Sequence, residues 1–285
     1  MTAHTSPAEH LLLIVAGCGA LGVYGLGWLR RRDASVTRLA AWATAIVATL
    51  AATAPVVEVW AARSFTGHMG QHLGLIVVAA PLFVVAQPVR TIRELFTVRV
   101  RPGERSVARW WHRNGVLLAP LLFLGVLYLT HLTQIYERAL GNRFVHDLEH
   151  LAYVGSAVAL WAAIQAPAQR VGAARVGAAM GVIGGTALLG VVLLSASQPL
   201  VPTYLESLGA DAALDDQRRA ASFMWAGGMG LTLPLLLSSV WIWASAEERL
   251  ARRTEALTDR AAAVPPTGTT AHHTTRRAAG GTSPG

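Results

Sequence analysis

Apolar residues run through this chain in long blocks rather than in alternation. Short stretches carrying arginine, aspartate, glutamate or histidine separate the blocks. An apolar run of about 18 residues or more marks a helix that can cross a bilayer. Seven such runs are legible, at about Leu11–Leu29, Leu39–Trp60, His68–Gln87, Gly115–Thr133, His146–Ile164, Ala174–Ser195 and Ala220–Ala244. The strands of a membrane barrel need only about 9–11 residues and alternate with period two, a pattern absent here. The chain is therefore expected to be all-α, a polytopic membrane helix bundle with seven transmembrane helices. Residues 1–250 form the integral membrane domain in this reading. Residues 251–285, rich in Ala, Thr, Pro and Gly, form a disordered cytoplasmic tail. Pro55, Pro81, Pro120 and Pro234 fall inside the runs and mark bends. The segment GAARVGAAMGVIGGTALLG (172–190) presents small residues for close helix contact.

Composition sharpens this picture. The chain is 53% hydrophobic and 14% charged, against about 25% charged for a soluble domain. All 24 basic residues are arginine. Nineteen fall on one side of the proposed spans and five on the other, and the arginine-rich side of a membrane protein faces the cytoplasm. The expected arrangement is a multi-pass plasma-membrane protein with its N-terminus outside and its C-terminus inside. The net charge of +8 is then explained by arginines beside lipid headgroups, not by nucleic acid. The RWWHR segment at 109–113 reads as an interfacial anchor, and His272 and His273 as tail residues without a role. Cys18 stands alone, so neither an intrachain disulfide nor a CxxC metal site exists. The first run is followed, not preceded, by Arg30–Arg32, which favours a retained span over a cleaved signal.

The histidines cluster on the side this topology puts outside. His68 and His72 open the third run, His131 lies near the outer end of the fourth, and His146 and His150 open the fifth. His4 and His10 precede the first. His68/His72 and His146/His150 are each i, i+4 pairs, so each pair shares one helix face. Two such helices, if they face each other, bring four imidazoles together, with His131 as a fifth. Imidazole suits copper, zinc, iron and nickel. Met69 and Met224 are candidate soft ligands, and Asp147 and Glu149 candidates for orienting the rings. Asp215 and Asp216 read as caps of the last span or, with Glu58, as part of an acidic outer rim that draws cations in. Packing, bis-histidine haem ligation and proton or quinone chemistry remain open alternatives. No Ser–His–Asp order or phosphate loop stands out, so no catalytic residue is assigned and an enzyme is not expected.

Several stretches together resemble a known family. HMGQHLGLIVVAAPLFVVAQP (68–88), THLTQIYERAL (130–140), HDLEHLAYVGSAVALW (146–161) and DDQRRAASFMWAGG (215–228) occur in order. They are similar to signatures of the multi-spanning caa3-type cytochrome c oxidase assembly factors, the CtaG family. The last resembles that family's DQ-x-x-AG-x-x-MW pattern, with Ala221 where glycine is usual. The resemblance implies a membrane assembly factor, a chaperone for a haem–copper oxidase, binding and delivering copper at the outer face. It carries over to His68, His72, His131, His146, His150, Asp216, Gln217, Met224 and Trp225. The implied partners are oxidase subunits or a copper chaperone, together with membrane lipids. A stand-alone copper transport or tolerance protein is the alternative, as is a haem-binding membrane protein. Copper is the implied metal, with haem the weaker candidate.

Overall fold

Each of the seven apolar runs falls largely within helix, although the His146–Ile164 run is not among the stretches long and apolar enough to cross a membrane. The computed structural model describes residues 7–93, 95–96, 102–165 and 172–262. His4, His272 and His273 lie outside the described residues, as does the side chain of His112. Every element among the described residues is helical. They are α1 (Pro7–Arg30), α2 (Val36–Ala52), α3 (Pro55–Arg63), α4 (Phe65–Leu73), a π-helical segment (Gly74–Ala79), α5 (Ala80–Ala86), α6 (Pro88–Arg93), α7 (Pro102–Leu132), α8 (Ile135–Gly141), α9 (Arg143–Gln165), α10 (Gly172–Ser195), α11 (Pro202–Leu208) and α12 (Ala210–Ala262).

Five helical stretches have the length and composition to cross a membrane: Ala8–Arg30, Phe65–Arg93, Arg113–Leu132, Gly172–Ser195 and Ala210–Arg260. The pair α2–α3 makes a sixth if a 49° bend is counted within one span. The bend falls where Pro55 starts α3; proline suits the first turn of a helix but cannot continue one. The chain is thus a multi-pass membrane protein, and its large exposed side chains, such as Leu12, Leu29, Leu117, Leu121, Val191 and Leu237, suit a lipid-facing surface.

Two compact units divide the chain, residues 1–244 and 245–285. Within the first, α7 packs on α9 and α10, α2 on α5 and the π segment, α3 on α4, and α1 on α2 and α6. One core cluster joins Phe65, Met69, Phe123, Tyr136, Tyr153, Tyr204 and Met224. A second joins Tyr24, Trp42 and Ala86. There the Tyr24 and Trp42 rings stack at 5.0 Å, and the Tyr24 hydroxyl donates to the Ala86 carbonyl at 2.8 Å. That carbonyl lies at the end of α5, where Gln87 caps the helix in the left-handed region (φ 52°), so a side chain satisfies a group the helix leaves open. In the second unit α12 continues as helix to Ala262, with an Arg252–Glu248 pair at 2.5 Å. The tail expected from residue 251 therefore begins as helix, and residues 263–285 lie outside the described residues.

Candidate metal centre

The i, i+4 spacing of His68 and His72 puts both rings on one face of α4, and His146 and His150 repeat this on α9. The two faces meet. Ring centroids are 5.3 Å apart for His68–His146 and 5.3 Å for His72–His150. Along each helix they are 4.3 Å apart for His68–His72 and 4.2 Å for His146–His150. All four side chains are buried, as is His131 at the end of α7.

Glu149 sits at the centre. Its Oε2 lies 3.5 Å from His68 Nε2 and 3.8 Å from His72 Nε2. Ligand atoms of His68, His72, His146 and Glu149 all fall within 4.8 Å of one another. Ligands held at about 2.0–2.2 Å around a tetrahedral ion lie roughly 3.3 Å apart, so a small contraction closes a coordination shell. Both nitrogens of His68, both of His72, both oxygens of Glu149 and Nε2 of His150 are buried with no hydrogen-bond partner. Buried polar atoms are nearly always paired, and leaving one unpaired costs about 1–3 kcal/mol. The buried carboxylate and the imidazoles around it make a donor set that fits a cation. Glu149, expected to orient the rings, has its carboxylate within 4.8 Å of ligand atoms of His68, His72 and His146.

A second group shares His146. Glu58, His146 and His150 also converge within 4.8 Å, with Glu58 Oε2 3.6 Å from His146 Nδ1. The expectation that Glu58 belongs to an exposed acidic rim is corrected: it is 4% exposed. The 49° turn of the chain into α3 carries it inward. Gln71, on α4, fixes it by donating to Glu58 Oε1 at 2.7 Å and to the Ala52 carbonyl at 3.0 Å. Gly67 permits the close approach of α3 to α4, since a Cβ there would meet the Trp60 carbonyl oxygen at 2.7 Å.

The remaining predicted residues fall in three places. Met69 and His131 touch, Sδ to Nε2 at 3.3 Å. Met224 joins them, with His72, around a cavity of about 30 Å³. Asp147 is exposed and turned away from the rings, towards Arg143 at 3.4 Å. Asp216 caps a helix, but not its own. It lies inside α12, and its carboxylate accepts the Phe65 N–H at 2.5 Å and the Thr66 hydroxyl at 2.7 Å. With Ser64, whose hydroxyl accepts the Gly67 N–H at 2.9 Å, it secures the first turn of the helix that carries His68 and His72. Asp215 lies exposed beside Arg218. Gln217 ties α12 to the end of α10 by accepting from Leu200 N–H at 2.8 Å and donating to the Leu193 carbonyl at 3.0 Å. Trp225 is 54% exposed.

Two short helices roof the cluster, and no apolar run announced either. Tyr136, on α8, lies 4.5 Å from the His68 ring. Tyr204, on α11, donates to the Ala61 carbonyl at 2.7 Å. Burial pushes both phenols up, well above the usual value for Tyr136, so they remain hydroxyl donors rather than phenolates. Tyr153 closes the inner side, 4.4 Å from the His72 ring.

Known proteins were compared with this chain. The family described as cytochrome c oxidase caa3 assembly factor (Caa3_CtaG) matches residues 22–246. An uncharacterized protein of Mycobacterium leprae is 26% identical over 270 residues, covering 87% of this chain and 41% of its own length. Uncharacterized proteins of Mycobacterium bovis and Mycobacterium tuberculosis are each 25% identical over 268 residues, covering 85% of this chain and 40% of their own. The chain thus spans about two fifths of the length of the curated relatives it matches. No solved structure is significantly similar.

Proposed function

The chain belongs to the cytochrome c oxidase caa3 assembly factor family, and on that premise we propose that it binds copper at the His–Glu cluster and delivers it during maturation of the oxidase. The role is that of a non-enzymatic chaperone. The observation that carries the reading is the buried group of His68, His72, His150 and Glu149, which leaves seven polar atoms without a hydrogen-bond partner. Imidazole and carboxylate together suit a borderline cation, and the family's task selects copper among them. The cavities of about 10 and 30 Å³ beside His68 and His72 suit a bare ion.

Topology belongs to the same proposal. The five apolar stretches and the bent α2–α3 pair give six crossings, and α9 supplies a seventh. Its 23 residues suffice for a span of about 30 Å at 1.5 Å per residue; its apolar character is diluted by His146, Asp147, Glu149 and His150 at one end. The cluster then lies towards the arginine-poor side, which is the outer face, with the N-terminus outside and the C-terminus inside. The partners are oxidase subunits or a copper donor reaching that face.

The test is made in a host whose caa3-type oxidase depends on this chain. His146→Ala and His150→Ala are each expected to lower oxidase activity and oxidase-bound copper by about tenfold or more, by analogy with losses at metal ligands and their supports. The variant chains should stay in the membrane at normal amounts. Full oxidase activity at equal protein level would sink the proposal.

A further inference from the structure

His131 and Met69 stand beside the cluster but do not belong to either ligand group. His131 Nδ1 lies 2.8 Å from the Leu127 carbonyl. A carbonyl oxygen only accepts, so Nδ1 carries the hydrogen and donates it. Thr130 Oγ1 and Tyr153 OH also lie 3.2 Å from Nδ1, and these two hydroxyls bond each other at 2.5 Å. The neutral ring then has its lone pair on Nε2. That atom faces the Met69 thioether at 3.3 Å, and sulfur there also offers only lone pairs. Both residues are buried. Two electron-pair donors placed face to face gain little from each other. A soft cation satisfies both.

The geometry suits one. With legs of about 2.0 Å to nitrogen and 2.3 Å to sulfur, a separation of 3.3 Å gives a bent chelate of roughly 100° with one side open. That open side has a natural occupant, because Met224 lines the same cavity of about 30 Å³ as Met69 and His131. Such a space exceeds the roughly 10–15 Å³ that one water requires.

Position adds a second, independent argument. His131 also lines a pocket of about 440 Å³ on the other side, formed with Gln134, Tyr136, Glu137, Arg138 and Pro202. The inner cavity is lined by His72 of the cluster. His131 therefore stands between a wide pocket beside α8 and α11 and the buried donor set. We propose that His131 Nε2 and Met69 Sδ form a separate site for a soft monovalent cation, a way-station between that pocket and the His–Glu cluster. The identification of the cation as Cu(I) rests on the reading above. The preference of a nitrogen–thioether pair for a soft ion does not. Transfer through the site is ligand exchange alone, with no change of oxidation state and no proton released from the ring.

The test uses the full-length detergent-purified chain in a Cys18→Ser background, because Cys18 is an exposed thiol that would itself take Cu(I). After anaerobic loading with Cu(I), X-ray absorption at the copper edge should show a sulfur neighbour at about 2.3 Å. Met69→Leu, a swap that conserves volume, should lower the number of sulfur neighbours by one while leaving zinc(II) stoichiometry at the cluster unchanged. Replacing methionine by selenomethionine throughout the otherwise unaltered chain gives a readout free of any folding effect: the copper should gain a selenium neighbour. Copper surrounded only by nitrogen and oxygen would overturn the proposal. So would a number of sulfur neighbours that is unchanged in Met69→Leu. Zinc(II) stoichiometry reports on the cluster separately, so failure of one site is not mistaken for failure of the other.

Discussion

Glu149→Gln should lower metal affinity by at least about 100-fold while leaving the metal-free protein as stable as before or more so. The two effects have one cause. Without an ion, Glu149 Oε2 lies 3.5 and 3.8 Å from Nε2 of His68 and His72 with no hydrogen bond to either. Glutamine has nearly the same shape and contributes N–H donors that those nitrogens can accept. The apo cluster therefore gains bonds. With an ion, the variant offers a neutral amide where a carboxylate stood, and a charge of opposite sign at contact distance is worth far more inside a membrane protein than in water. Supports of metal ligands alone typically cost 10–100-fold, and a direct ligand should cost no less. Isothermal titration with zinc(II) and thermal unfolding of the same preparations give both signs. Equal affinity in wild type and variant would remove Glu149 from the coordination shell.

Asp216→Ala should be the most damaging single change among residues that hold no metal. It leaves the Phe65 N–H and the Thr66 hydroxyl without their acceptor, at a buried helix start where a cap is worth about 0.5–2 kcal/mol and a charge-assisted bond about 1.5–3. A loss of about 2–5 kcal/mol is expected from these ranges. Asp216→Asn should recover part of it, because its amide oxygen still accepts. Because α4 carries His68 and His72, metal retention should fall with stability in the alanine variant. An unfolding midpoint within a degree of wild type would show that α4 is seated by something else.

The helices and the two histidine faces were legible because both depend on local periodicity: apolar length defines a span, and i, i+4 spacing defines a face. What was misjudged depends on contacts distant in sequence. Glu149 follows His146 by three residues and so shares its face, which was a readable signal; placing its carboxylate beside His68 and His72 required knowing that α4 lies opposite. Glu58 was placed on an outer rim because nothing local fixes the angle at which α3 leaves α2. Asp216 looked like a cap for the helix it belongs to, yet its partner Phe65 is 151 residues away. The pairs were expected at the outer ends of their runs, but α8 lays Tyr136 against His68. Helices of seven residues are too short to register as apolar runs.

The central claim is tested most directly by the copper and haem content of the purified full-length protein beside a His68→Ala/His72→Ala variant, after loading both with Cu(I) and removing unbound metal. The wild type should retain copper without a haem absorption band, and the variant, with unchanged helix content, should retain at least about one copper per chain less. Equal copper in the two proteins, or none in either with the helices intact, would contradict it.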